Sequence, residues 1–92
     1  MAVAQRSAQA SLTRAYIKGK VIGWFSDHFR MPASAFPEKT NLRQELLFDN
    51  HSLVELGKYF NDAVWTPVRL YPWQYANCQT IGDIIDLIFN NS

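Results

Sequence analysis

Apolar residues recur at intervals of three and four positions in three separate stretches of this chain, and this spacing limits the fold more than any other feature. Because an α-helix turns about 100° per residue, such spacing gathers the apolar side chains on one face. In the second stretch these residues are Leu53, Leu56, Phe60 and Val64. The sequence therefore predicts helices that each bury one face in a shared core.

Prolines and capping residues bound the predicted helices. The first helix covers residues 11–30, with Trp24 and Phe25 on its apolar face. Pro32 ends this helix, because proline disfavours helical geometry in the residue before it. The last helix begins at Thr80, which forms the capping box Thr-x-x-Asp with Asp83. The residues at helical spacing after Thr80 are Ile81, Ile84, Ile85 and Ile88.

The start of the second helix has several candidate caps. Asp49, Asn50 and Ser52 are all residue types that favour the N-cap position. Ser52 also forms the pattern Ser-x-x-Glu with Glu55, which predicts a capping box. The helix is therefore expected to begin at Asp49 or Ser52, with Ser52 favoured as the cap, and to end near Trp65.

An aromatic segment, residues 68–78, follows the second helix. It holds Tyr71, Trp73 and Tyr75 around Pro72 and shows no clean periodicity, so we expect an irregular segment with at most one helical turn. The three rings cannot all point inward from such a segment. We expect Trp73 or Tyr71 to be exposed beside the second helix, where a large ring could anchor a partner.

The fold class that follows is all-α. We predict a small up-and-down bundle of three main helices with a possible short fourth, and a long loop between the first two helices. Phe36 and Leu42 are predicted to anchor that loop on the core. A basic N-terminal arm, residues 1–14, is expected to lead into a helical domain of residues 15–92, with basic residues such as Arg14 and Lys18 solvated.

Composition excludes several functions. A formal net charge of +1 is too small to predict nucleic-acid binding. No apolar run approaches the roughly 20 residues that cross a bilayer. Cys78 is the single cysteine, so no internal disulfide can form, and a reducing cytoplasmic setting fits.

Catalytic and metal-binding constellations are also not predicted. Asp49, His51 and Ser52 are residue types of a catalytic triad, but they are neighbours in sequence, whereas a triad converges from separate elements. His28 and His51 lack metal-ligand spacing with each other or with Cys78. We therefore expect a protein that is not an enzyme and holds no metal.

Several residues resemble the acyl carrier protein family. Glu45-Leu46 matches the family's acidic-Leu pair, Asp49 its aspartate before the modified serine, and residues 54–56 its Val-Glu-Leu. Residues 79–88 resemble its last helix. The resemblance implies a helical bundle that carries 4′-phosphopantetheine on the serine of Asp-Ser-Leu. In this chain Asn50 stands at that serine position, and an asparagine amide has no hydroxyl to form the phosphodiester.

Two functions follow from this resemblance. In the first, the chain keeps the bundle, lacks the cofactor and binds a protein partner through the second helix and the aromatic segment, with Leu53, Leu56, Tyr71 and Trp73 as the contact residues. In the second, Ser52 carries 4′-phosphopantetheine and an acyl or aminoacyl cargo, with Asp49 and Asn50 beside it. Acyl-transfer or synthase enzymes are then the partners.

Overall fold

Each main helix of the protein begins at a side chain that accepts a hydrogen bond from the first helical turn. The computed structural model describes residues 12–66 and 69–92. These residues form four α-helices, namely α1 (Arg14–Phe29), α2 (Asn50–Asp62), α3 (Pro72–Ala76) and α4 (Ile81–Asn90), with a 3₁₀ helix at Ala33–Ala35. They contain no β-strand, and Asn41 and Thr80 form an isolated bridge. The predicted all-α bundle is confirmed.

Capping residues set the starts of α1 and α4. Thr13 accepts a hydrogen bond from the Tyr16 amide at 3.0 Å. Thr80 accepts from the Asp83 amide at 3.1 Å, and the Asp83 carboxylate accepts in return from the Thr80 amide. The capping box predicted for the last helix is therefore confirmed. Arg30, in the left-handed conformation at φ 56°, ends α1 before Pro32.

Of the two predicted starts of the second helix, Asp49 is confirmed, and the favoured cap, Ser52, is wrong. Asp49 is the N-cap, and its carboxylate accepts from the Ser52 amide at 2.8 Å. Ser52 is the third residue of α2, so it forms no capping box with Glu55. The other end of the helix also differs from the prediction: α2 ends at Asp62, and Val64 is fully exposed instead of lying on the buried face.

The helices pack as two pairs, α1 against α4 and α2 against α3. Aromatic rings fill the space between the pairs. Trp24 of α1 lies 6.0 Å from Phe60 of α2, and Phe25 lies 5.9 Å from Phe48 in the connection (distances between ring centroids). The buried core residues are Ile17, Val21, Ile22, Phe25, Phe36, Leu42, Leu53, Leu56, Phe60, Tyr75, Cys78, Ile81, Ile84, Ile85 and Ile88.

The long connection between α1 and α2 is fixed at both predicted anchors. Phe36 and Leu42 are buried, which confirms that prediction. The Leu42 amide donates to the Gln79 carbonyl at 2.8 Å, and the Ile81 amide donates to the Thr40 carbonyl at 3.1 Å. These bonds join the connection to the start of α4, so the chain enters α2 from a fixed position.

The basic arm lies almost wholly outside the described residues, but its last part begins α1. Arg14 is not simply solvated, as the sequence suggested. Its guanidinium binds both Glu38 oxygens, at 2.5 and 2.9 Å, and Asp86 at 2.8 Å. Lys18 adds a contact to Glu38 at 3.1 Å. This network ties α1 to the connection and to α4.

Candidate functional site

The aromatic segment presents two large rings to solvent and buries the third. Tyr71 is 70% exposed and Trp73 59%, while Tyr75 is fully buried. The Tyr71 and Trp73 rings are stacked, with centroids 6.1 Å apart and planes 14° from parallel. The prediction that one of these rings is exposed beside the second helix is therefore confirmed, for both rings. We call this stacked pair the aromatic platform.

Local sequence explains why the platform has a helical base. Pro72 is the first residue of α3, where its missing amide hydrogen would have no intrahelical partner. The Gln74 side chain accepts from the Tyr71 amide at 2.9 Å and closes the turn. The single helical turn that the sequence allowed in this otherwise irregular segment is thus a short helix of five residues.

A close approach between α2 and α3 holds the platform in place. Gly57 of α2 faces Tyr75, and a Cβ at Gly57 would lie 2.4 Å from a carbon of the Tyr75 ring. Asn61 accepts from the Leu70 amide at 3.0 Å and donates to the Leu70 carbonyl. The Tyr75 hydroxyl also lies 3.5 Å from the Asn61 side-chain oxygen. Sequence reasoning did not identify Asn61, because a single polar residue in a helix carries no such signal.

The Tyr75 hydroxyl and the Cys78 thiol, two buried groups near the platform, stay protonated at neutral pH. Burial raises the pKa of Tyr75 to about 12. Burial likewise raises the pKa of the Cys78 thiol to about 12, with a smaller contribution from Asp83. A neutral thiol is a poor nucleophile and metal ligand, so this region contributes packing to the site instead of reactivity.

Leu53 and Leu56 do not lie on the surface where they were expected to contact a partner. Leu53 is fully buried and Leu56 is 3% exposed, because both belong to the apolar face of α2 that packs in the core. Their placement as partner-contact residues is therefore corrected. Of the four proposed contact residues, the structure brings only Tyr71 and Trp73 to solvent.

The first turn of α2 gathers the residues around the proposed modification position. Asn50 is the first residue of α2, and its side-chain oxygen accepts from Arg43 at 2.5 Å. Arg43 also donates to the Ala76 carbonyl at 2.8 Å, so it links this turn to the end of α3. Hydrogen bonds from the amide and then the hydroxyl of Ser52 lower the pKa of Asp49. Arg43 was missed at the sequence level, since its partners are distant in the chain.

An apolar cavity of about 430 Å³ opens beside this turn, between α1, residues 46–48 and α2. It is lined by Trp24, His28, Phe29, Leu46, Leu47, Phe48, His51, Ser52, Glu55, Leu56 and Tyr59. We call it the ring cavity, because Trp24, Phe29, Phe48 and Tyr59 contribute aromatic rings to its lining. His51 and Ser52 stand at its α2 side, whereas Asp49 and Asn50 do not line it. No pattern in the sequence predicts this cavity.

Two further observations concern metal binding and the crossing of a membrane. No three His, Cys, Asp or Glu side chains are grouped as metal ligands within residues 12–66 and 69–92. Over the same ranges, no helix has the length and apolar character that crossing a bilayer requires.

Comparison with known proteins adds no family to this description. No protein-family model, curated protein or solved structure matches the chain. The likeness to acyl carrier proteins therefore rests on the residues of the sequence.

Proposed function

We propose that the chain is a carrier-protein-like, non-enzymatic module that binds another protein through the aromatic platform and the adjoining side of α2. The observation that carries the proposal is the pair of stacked rings, Tyr71 and Trp73, each more than half exposed. Large aromatic side chains in an interface bury much apolar area at a low cost in conformational entropy, and they dominate measured binding energies.

The support beneath the rings strengthens this proposal. A partner gains most from side chains whose positions are fixed before binding, because less conformational freedom is then lost. The contacts of Gly57 and Asn61 fix α3 on α2. The charges nearby are mixed: Arg69 pairs with Asp62 at 3.3 Å. We therefore expect partner binding to depend weakly on salt.

The test compares Trp73→Ala with a matched control, Tyr16→Ala. Tyr16 is an exposed ring on α1, away from the platform. Proteins from the source cells that the wild-type chain retains are identified by mass spectrometry, and the affinity of the purified partner is then measured by calorimetry. We expect Trp73→Ala to abolish this binding and Tyr16→Ala to preserve it.

Two results would overturn the proposal. Equal affinity of the partner for wild type and Trp73→Ala would remove the platform from the interface. Unfolding of Trp73→Ala, seen by circular dichroism, would make the ring a core residue despite its exposure. Sedimentation of the chain alone measures whether the platform instead binds a second copy.

We further propose that the module carries no 4′-phosphopantetheine. The support is chemical: Asn50, which stands at the position of the family's serine, offers no hydroxyl. Intact mass is measured after incubation with coenzyme A and a broad-specificity phosphopantetheinyl transferase, and we expect no increment. Asn50→Ser tests whether the position becomes modifiable. An increment in the wild type that Ser52→Ala removes would establish the carrier function instead.

A cytoplasmic location is proposed on the basis of Cys78. A single, unpaired thiol suits a reducing compartment. Cell fractionation followed by immunoblotting tests this location, and recovery of the protein from an oxidising compartment would contradict it.

A further inference from the structure

The ring cavity is apolar over most of its wall. Its volume of about 430 Å³ lies within the range of roughly 300–1,000 Å³ found for ligand pockets. Trp24 lies between two of the other rings, with its centroid 6.5 Å from Phe48 and 5.9 Å from Tyr59. A flat aromatic molecule can pack against such rings in the offset or edge-to-face arrangements that aromatic pairs prefer. The wall therefore favours a ligand with an aromatic body.

The charged and polar groups of the lining favour a positive ligand. Among the described residues that line the cavity, Glu55 is the single carboxylate, and none is a lysine or an arginine. The faces of aromatic rings are also partly negative, and they attract an ammonium group within about 6 Å of the ring centre. His28 and His51 line the cavity as well, and a neutral imidazole offers a lone pair to an ammonium N–H. A negative head group would instead be repelled by Glu55.

Glu55 lies next to the aromatic part of the wall. Ser52, Glu55 and Tyr59 are three and four positions apart in α2, so they share one face of that helix. An ammonium group bound at Glu55 can therefore also contact the Tyr59 ring. A short chain from this ammonium group brings an aromatic body to Trp24, whose ring centroid is 5.9 Å from that of Tyr59.

The Glu55 carboxylate can accept a second cation. Lys58 donates to its Oε2 atom at 3.1 Å, and within residues 12–66 and 69–92 this is the one hydrogen bond to the carboxylate. Both side chains are more than half exposed, and ion pairs of this kind contribute little to stability. Lys58 itself does not line the cavity. A ligand can therefore bind the Oε1 atom or displace Lys58 at a small cost in free energy.

We propose that the ring cavity binds an arylalkylammonium ion, in which a short chain joins an aromatic body to a protonated amine. The body packs against Trp24, Phe48 and Tyr59, and the ammonium group donates to the Glu55 carboxylate. Neither ring of the aromatic platform lines the cavity, so this site can hold whether or not the platform binds a protein.

Three probes with one aromatic body and different head groups test the proposal: naphthylethylamine, naphthylethanol and naphthylacetate. Calorimetry measures their binding to the full chain at pH 8, where an ordinary imidazole is neutral and an alkylamine is protonated. We expect naphthylethylamine to bind most tightly and naphthylacetate least. Glu55→Gln should weaken naphthylethylamine about three- to fivefold, which is the contribution of a half-exposed ion pair, and should leave naphthylethanol unchanged. Lys58→Met removes the competing ammonium group and should tighten naphthylethylamine alone.

A pair of tyrosine variants separates the cavity from the rest of the surface. Tyr59→Ala removes one wall and should weaken all three probes, whereas Tyr16→Ala, which removes an exposed ring from the opposite half of α1, should leave them unchanged. Equal weakening by both variants would mean non-specific binding and would overturn the site.

Three results with the probes would also overturn the proposal. Absence of naphthylethylamine binding would remove the site. Equal or tighter binding of naphthylethanol or naphthylacetate would contradict the positive head group. An unchanged affinity of Glu55→Gln for naphthylethylamine would show that the ammonium group does not bind this carboxylate.

Discussion

The close approach of α2 to α3 at Gly57 makes the sharpest prediction about stability. An alanine Cβ at this position would lie 2.4 and 2.9 Å from two carbons of the Tyr75 ring and 3.2 Å from the Pro72 carbonyl oxygen. The first two distances are shorter than carbon atoms tolerate. Because Tyr75 is fully buried, its ring cannot swing into solvent. The two helices must therefore separate or the ring must repack.

The size of the effect follows from two opposing contributions. Overpacking a well-packed core costs about 1–3 kcal/mol. Replacing glycine by alanine inside a helix gains about 1 kcal/mol. The contact below 2.5 Å places the overpacking cost in the upper part of its range, so we expect Gly57→Ala to lower the free energy of unfolding by about 1–2 kcal/mol. For a domain of this size that corresponds to a fall in Tm of about 5–15 °C.

Gly19→Ala is the matched control. Gly19 lies in the middle of α1, and a Cβ there would meet nothing within 4 Å. The same substitution should therefore raise the free energy of unfolding by up to about 1 kcal/mol. Urea titration and thermal unfolding of both variants measure the difference. If Gly57→Ala stabilises the protein as much as Gly19→Ala does, α3 does not press against α2 as described.

Three further predictions concern single sites. Leu47→Gly should raise the free energy of unfolding by about 1 kcal/mol, because glycine adopts positive φ without strain, and lowered stability in urea titration would contradict this. Asp49→Ala should lower the urea midpoint of unfolding more than Ser52→Ala does, because Asp49 is the N-cap of α2. Asp49→Asn should stay close to wild type. A larger effect of Ser52→Ala would mean that Ser52 is the cap. Hydrogen bonds from Arg14 lower the pKa of Glu38 to about 2, so the stability that its charge provides is complete above about pH 4.5 and is lost as the pH falls through 2. Glu38→Gln should reduce the fall in the free energy of unfolding between pH 5 and pH 2. If wild type and Glu38→Gln lose the same free energy of unfolding over this range, the ion pair does not contribute as described.

Local sequence determines much of the helical fold. The spacing of the isoleucines and the box between Thr80 and Asp83 fix α4 without reference to any other element. The exposure of Tyr71 and Trp73 follows from alternation around Pro72, since one short segment cannot bury three rings. Such predictions succeed because the periodicity and the caps act within one turn or one helix.

The tertiary structure decided where α2 begins and ends. Asp49, Asn50 and Ser52 are capping residues of nearly equal local preference, within about 1 kcal/mol of one another. The Phe48 amide donates to the Leu42 carbonyl at 2.9 Å, which fixes the connection immediately before Asp49 and favours the earliest cap. At the other end, the Thr66 hydroxyl donates to the Phe60 carbonyl, and the chain turns away before Val64.

Long-range packing also created the ring cavity and the fixed base of the aromatic platform. Trp24 and Tyr59 come from different helices, and their rings lie 5.9 Å apart because the pairs α1–α4 and α2–α3 meet through side chains. Local preferences of about 1 kcal/mol per residue cannot specify such a meeting. The free energy of burying many apolar groups together determines how the helix pairs pack. This free energy depends on which helix faces come together, so no single helix contains it.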